Sequence, residues 1–132
     1  MIKKMIVMAI KPEYAKAIYE GKKHWEFRKA PPPLMEGILL YESAPVGKIT
    51  GMVTFALAIK SRARLVWTIA KADMWDQRGT GITASELQDY AGGEKGQVSA
   101  LKVLSCVKFE TPIELRSRPP QNWARYEFDV PE

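Results

Sequence analysis

The sequence is poor in the two residue types that most often bind transition metals. It contains one cysteine, Cys106, and one histidine, His24, in 132 residues. A single cysteine cannot form an intramolecular disulfide, and its place in an apolar run favours a buried, inert thiol. Structural zinc sites need about four Cys or His ligands and catalytic sites about three. We therefore expect no metal site, and we expect no other cofactor.

Long hydrophobic runs are also absent. No segment approaches the roughly 18 uninterrupted apolar residues that a membrane-spanning helix requires. The opening MIKKMIVMAIKPEY has too short an apolar core for a signal peptide. We see no linker, repeat or low-complexity segment, so we expect a single domain over residues 1–132, located in the reducing cytoplasm and not in a membrane.

The charged residues are unbalanced toward the basic side. Twenty Lys and Arg residues against fifteen Asp and Glu residues give a formal net charge of +5. A basic protein favours polyanionic partners, because binding releases the counterions held by phosphates. The bias is modest, and it suits RNA and DNA equally.

Hydrophobic periodicity predicts the element order β-α-β-β-β-α-α-β, with a possible last short strand in the tail. Met5–Ile10 is a short apolar run typical of a buried strand, and Pro12 suits the first turn of a helix that ends at Glu20 before Gly21. Further strands are predicted at 24–30, 37–43, 48–59 and 98–109, and helices at 64–75 and from Thr83, where Thr83–Glu86 has capping-box spacing. This order suggests a small mixed barrel of six or seven strands with helices at one side.

The strand near residue 25 carries charged side chains on one face. Alternation places Trp25 and Phe27 toward the core, with Glu26 and Arg28 opposite them. Lys23 joins Glu26 and Arg28 only if it belongs to the turn before the strand. If Glu26 and Arg28 were simply an exposed ion pair, the pair would contribute only about 0–1 kcal/mol to stability.

Three segments resemble motifs of the ASCH domain, in the order that the family has them. Gly21–Arg28 (GKKHWEFR) matches the signature G-x-K-x-x-E-x-R. Tyr41–Val46, followed by Ile49 and Gly51, is similar to the Y-x-S/T-x-P-V…I-x-G run of this superfamily. Pro119–Gln121 resembles the P-P-Q segment of a small prokaryotic branch.

The resemblance implies an α+β fold, a PUA-like mixed β-barrel of about six strands with short flanking helices, related to the PUA, YTH and EVE domains. It also implies a groove beside the first helix that receives RNA, DNA or a modified nucleoside. Arginine offers a flat donor fork for phosphate or a base edge, and a carboxylate accepts from an exocyclic amine. The ligand-binding residues predicted on this basis are Lys23, Glu26, Arg28, Tyr41, Ser43 and Gln121.

Whether the protein is an enzyme stays open at this point. One ASCH branch hydrolyses acetylated cytidine with the motif lysine, a threonine three residues later and a downstream glutamate. Lys23 matches the lysine, whereas Glu26 stands in the place of the threonine, so these two are catalytic candidates only if the chain is an enzyme. The candidates for the downstream acid are Asp73, Asp76 and Glu86.

Two other functions remain alongside RNA binding and amide hydrolysis. A ribonuclease can use a lysine and a hydroxyl such as that of Ser43, and other ASCH proteins have that activity. A regulatory protein can use the basic surface to hold DNA or a protein partner. His24 can act as a general base near neutral pH, but the sequence offers no group that orients its ring.

Overall fold

Six strands and three helices form within the residues that a computed structural model of the protein describes, which are 1–34, 36–72 and 82–131. The strands are β1 Ile2–Ile10, β2 Trp25–Arg28, β3 Ile38–Glu42, β4 Lys48–Arg62, β5 Gln97–Ile113 and β6 Trp123–Asp129. The helices are α1 Pro12–Tyr19, α2 Ala63–Ala72 and α3 Ala84–Ala91. The predicted order of elements is confirmed, and the tail forms a full strand.

All six of these strands belong to one mixed sheet, in the order β2-β5-β4-β3-β1-β6. The β1 and β3 pair is parallel, and the other pairs are antiparallel. Within the described parts of the chain, β2 and β6 are the two edges, and no ladder joins them, so the predicted closed barrel is wrong. A physical reason lies in the sequence after β2, because Pro31, Pro32 and Pro33 have no amide hydrogen to donate to a ladder.

The main chains of β4 and β5 approach each other closely at Gly51. The register of β4 shifts against both neighbouring strands between Ile49 and Gly51. A Cβ added at Gly51 would collide with the carbonyl oxygen of Val107 and would lie 2.5 Å from the Tyr19 hydroxyl. That hydroxyl shares a 2.8 Å hydrogen bond with Thr50, and burial raises the pKa of Tyr19 to about 12.

Strand alternation divides the core into clusters on the two faces of the sheet. Ile6, Met8 and Ile10 pack beneath α1, whereas Val7 faces the opposite side with Leu39. A third cluster lies under α2 and α3 and contains Trp25, Phe27, Val66, Leu87, Ala91 and Val98. Trp25 and Phe27 therefore share one face, as alternation predicts.

The helix ends follow local sequence signals. Pro12 occupies the first turn of α1, and Glu20 caps its C-terminus. Thr83 and Glu86 form the predicted capping box at the start of α3. Residues 73–75 of the predicted second helix lie outside the described residues. None of the helices within the described residues is long and apolar enough to cross a membrane.

Candidate functional site

A cavity of about 480 Å³ opens where the end of β1 and the start of α1 face β2 and α3. Its polar lining is formed by Lys11, Lys23, Glu26, Arg28, Ser43, Glu86 and Gln121. Its apolar and aromatic lining is formed by Ala9, Ile10, Tyr14, Phe27, Ile82, Leu87 and Tyr90. Five of the six predicted ligand residues therefore meet in one concave space.

Lys23 reaches the cavity because it lies in the turn between α1 and β2. Gly21 has a φ of +74°, a left-handed conformation that suits glycine. The main-chain amide of Lys23 donates to the carbonyl of Ala17, at 3.0 Å, so the residue is held against the end of α1. Its side chain therefore does not follow the alternation of β2, and its Nζ lies 3.9 Å from the Glu26 Oε1.

The Lys23 ammonium lies in an almost fully buried environment. Only 2% of the residue is exposed, and Nζ lies 5.1 Å from the centre of the Tyr14 ring and 5.3 Å from that of Phe27. Burial lowers the pKa of Lys23, because the charged form loses water; Glu26 raises this pKa again and Arg28 lowers it further. Two aromatic ring faces and a carboxylate replace part of the lost hydration.

The Glu26 carboxylate is fixed between two cations. Its Oε1 accepts a 3.0 Å hydrogen bond from the Phe27 amide, and its Oε2 lies 3.4 Å from the Arg28 Nη2. Glu26 itself is 5% exposed. A carboxylate held at both oxygens presents a defined acceptor edge, which suits recognition of a ligand donor.

The Arg28 guanidinium connects the two ends of the sheet. Its Nη2 donates to the Ala9 carbonyl at 2.7 Å, and its Nη1 donates to the Asn122 Oδ1 at 3.0 Å. Asn122 in turn donates to the Ala30 carbonyl at 2.8 Å. These contacts bridge β2 to β1 and to the segment before β6, at the place where a closed barrel would have a ladder.

The description of Glu26 and Arg28 as an exposed pair is wrong. Their side chains are 6% and 13% exposed. The alternation of β2 is as predicted, but Ala9 of β1 and Asn122 before β6 contact the side chains on its second face. That covering contact joins residues more than ninety positions apart, such as Arg28 and Asn122, and strand periodicity carries no information about it.

Tyr41 lies outside this cavity. It packs against the cluster that contains Leu39, two residues earlier on the same face of β3. Ser43 follows the end of β3 in a turn, where its amide and hydroxyl both donate to the Ile10 carbonyl, at 2.9 and 3.4 Å. Of these two predicted ligand residues, Ser43 lines the cavity and Tyr41 does not, because strand alternation stops where β3 ends.

Sequence reasoning named Glu86 and a groove beside the first helix, but it missed the two tyrosines that α1 and α3 contribute to the cavity. Glu86 and Tyr90 line it together, and they are four residues apart, a spacing that places two side chains on one helix face. Tyr14 comes from α1, and burial raises its pKa, with further contributions from Glu13, Glu86 and Glu26. The amphipathic pattern of α3 was the available signal, but it does not show which element the helix faces.

The remaining catalytic candidates are three acids and His24. Among the three acids that were considered, Glu86 lines the cavity, whereas Asp73 and Asp76 lie outside the described residues. The exposed His24 places its Nε2 2.6 Å from the Gly21 carbonyl oxygen and does not line the cavity. In the part of the chain that the structure describes, no group of three or more His, Cys, Asp or Glu side chains is arranged to hold a metal ion.

Comparison with known proteins gives the family. The ASCH domain family matches residues 8–109, which is more than half of the chain. The chain belongs to the ASCH domain family. A Zymomonas mobilis protein described as an ASCH domain-containing ribonuclease is 27% identical over 135 residues, covering 95% of this chain and 87% of that protein.

Solved structures of ASCH proteins share this fold. The crystal structure of ASCH from Zymomonas mobilis matches with a TM-score of 0.74 and 25% identity, covering 91% of this chain and 85% of that one. A serine-to-alanine mutant of the Zymomonas protein matches with a TM-score of 0.75 and 25% identity, covering 91% and 86%. The predicted family and the mixed α+β class are thus confirmed.

The ASCH signature has a distinct structural basis at each of its positions here. Gly21 permits the turn, Lys23 lies buried against aromatic rings, and Glu26 and Arg28 extend from one face of β2 into the cavity. Arg28 also holds the sheet edges together. The signature of this ASCH protein therefore combines a structural role with the lining of a cavity.

Proposed function

We propose that this ASCH protein binds single-stranded RNA, with one nucleotide held in the cavity between α1, β2 and α3. The observation that carries the proposal is the convergence of Lys23, Glu26 and Arg28 in one concave site. An ammonium, a carboxylate and a guanidinium lie there within contact distance, and each is fixed by the protein around it.

The dimensions and lining of the cavity suit a nucleotide. Its volume of about 480 Å³ falls inside the range of roughly 300–1,000 Å³ that small-molecule sites occupy. The positive charge of Arg28 suits a phosphate, and the Glu26 carboxylate suits an exocyclic amine. Tyrosine rings such as that of Tyr14 offer a surface on which a base stacks.

The same features also suit a free modified nucleoside, and the basic charge also suits DNA. RNA is the ligand we favour, because the Zymomonas relative that covers nearly the whole chain is described as a ribonuclease. A protein that binds RNA can act in RNA metabolism, or in regulation of transcription or translation, through this cavity alone.

Ribonuclease activity is a second candidate, and the lowered pKa of Lys23 favours it. A lysine with a lowered pKa is more often neutral near physiological pH, so its Nζ can accept the proton of a ribose 2′-hydroxyl. The 2′-oxygen then attacks the adjacent phosphorus, the bond to the 5′-oxygen breaks, and the departing 5′-oxygen takes a proton from water. A cyclic 2′,3′-phosphate and a 5′-hydroxyl end result, and Arg28 is placed to stabilise the charge on the phosphate.

Binding and cleavage are tested together with a dye-labelled RNA of about ten nucleotides, a length inside the usual range for single-strand binding sites. Anisotropy should show binding at low salt, and the cleavage rate should rise with pH through the lowered pKa of Lys23, below its ordinary 10.5. Lys23→Arg keeps the positive charge but cannot lose its proton, so it should bind RNA and fail to cleave it.

The controls separate the candidate functions. An RNA with deoxyribose at the cleaved position should bind without being cut, because the attacking hydroxyl is absent. Chelation with EDTA reports whether cleavage needs a metal ion. Acetylated cytidine tests amide hydrolysis, which we do not expect, because Glu26 replaces the threonine hydroxyl. If no RNA or DNA of any sequence binds at low salt, the proposed function is wrong.

A further inference from the structure

A second tyrosine lies at the mouth of the cavity. Tyr90, in the last turn of α3, lines the same space as Tyr14, yet 41% of it is exposed. Tyr14 is half-buried beside the Lys23 ammonium. The cavity thus has one inner ring and one outer ring, and the outer one remains accessible to solvent.

The Tyr90 ring is held in place from the opposite wall. The Lys29 amide donates to the Tyr90 hydroxyl at 3.4 Å, and the Lys29 Nζ lies 5.1 Å from the ring centre. Lys29 directly follows β2, so these contacts span the mouth from α3 to the end of the strand that bears Glu26 and Arg28. A ring fixed before binding loses little conformational freedom when a base stacks on it.

We infer that Tyr90 and Lys29 form a second subsite, which takes the base and the phosphate of the nucleotide next to the one in the cavity. This inference rests on the proposed function. Stacking on a tyrosine accepts any base, because every base has a π-face, and the lysine adds attraction to the backbone. The ligand class is therefore RNA of two or more nucleotides, recognised in the inner cavity and held without sequence preference at the rim.

Geometry along α3 supports two separate positions. Glu86 and Tyr90 share a helix face, and four residues of helix rise about 6 Å. We therefore place the first nucleotide beside Glu86 and Lys23, and its neighbour about one helical turn away, beside the Tyr90 ring.

The test compares uridine 3′-monophosphate with the dinucleotide UpU, each measured by competition against a labelled RNA. UpU should bind the natural protein more tightly than the mononucleotide. Tyr90→Ala should weaken UpU binding by about fivefold or more, from the usual contribution of one stacked base, and should weaken mononucleotide binding much less. Tyr90→Phe keeps the ring and should keep most of the affinity for UpU.

The outcomes distinguish this subsite from a purely structural contact between α3 and β2. If Tyr90→Phe weakens UpU binding as much as Tyr90→Ala does, the hydroxyl contact with Lys29 matters and the stacking subsite is refuted. If Tyr90→Ala weakens both ligands equally, the residue shapes the cavity and the subsite is again refuted. If the mononucleotide binds and UpU binds no better, the inference fails alone; if the labelled RNA itself does not bind at low salt, the proposed function fails with it.

Discussion

The guanidinium of Arg28 donates to a main-chain carbonyl, an amide oxygen and a carboxylate, and each partner comes from a different part of the chain. Ala9 belongs to β1, Asn122 precedes β6, and Glu26 lies two residues earlier on β2. A surface arginine would exchange such contacts with water at little cost. Here the side chain is 13% exposed, so its loss leaves buried acceptors without a donor.

We therefore predict that Arg28→Ala lowers the free energy of unfolding by about 3–5 kcal/mol, the usual cost of breaking a buried pair. Urea denaturation monitored by tryptophan fluorescence measures it. Arg125→Ala is a matched control, because Arg125 forms a two-point ion pair with Glu36 in which both side chains are 43% exposed. That variant should lose only about 0–1 kcal/mol. Equal losses in the two variants would contradict the structural role of Arg28.

If Arg28→Ala loses this much stability, the variant cannot be used to test ligand binding at the site, but other variants can. Folding and binding draw on the same guanidinium, so a binding assay of Arg28→Ala would mix the two effects. Lys11 and Tyr90 also line the cavity but are exposed, and their substitution reports binding with less disturbance of the fold.

At the scale of elements, β4 and its neighbours approach closely at Gly51. We predict that Gly51→Ala lowers the free energy of unfolding by about 1–3 kcal/mol or more, because the new methyl group meets the Val107 carbonyl on β5, which cannot move without disturbing the ladder. Gly37→Ala is the control, since its methyl group would meet only the flexible end of Met52, at 2.8 Å from the sulfur. Urea denaturation of both should show the larger loss at Gly51; the reverse order would refute this account.

Periodicity predicts the elements well, because the physics of each element is local. The two-residue period of β1 assigns Ile6 and Met8 to one face and Val7 to the other, and the capping box at Thr83 marks the start of α3. A strand of four residues such as β2 is also visible from its alternating pattern. None of these signals depends on distant parts of the chain.

The errors arise where an element ends or where distant segments meet. Ser43 reaches the cavity from a turn, whereas Tyr41, which was also predicted as a ligand residue, packs against the cluster that contains Leu39. Tyr90 and Lys29 are 61 residues apart, and their contact depends on how α3 packs on the sheet. The ASCH signature supplied Lys23 and its neighbours, because a family motif carries information about long-range contacts that periodicity lacks.

At the scale of the whole molecule, the cavity lies at the seam between the two edges of the sheet. Arg28 and Asn122 bridge β2 to the start of β6 through side chains, whereas a closed barrel would fill this seam with main-chain hydrogen bonds. An open seam leaves space that α1 and α3 cover from two sides. The open seam between β2 and β6 therefore accounts for the cavity as well as for the sheet that does not close.

RNA binding at this seam must depend on salt, because the protein carries a net charge of +5 and each contact with a phosphate releases counterions. Each phosphate contact on a single strand contributes about 0.7 to the slope of log affinity against log salt, so Lys11→Ala should reduce that slope by about 0.7 and weaken binding to all sequences alike. Lys108→Ala removes the same charge from the exposed surface of β5, nine residues along the strand from Ser99, the partner of Arg28. Anisotropy titrations between about 50 and 200 mM salt should show a much smaller change for that control. If the two variants change the slope equally, the basic charge attracts RNA over the whole surface and the seam has no special part in binding it.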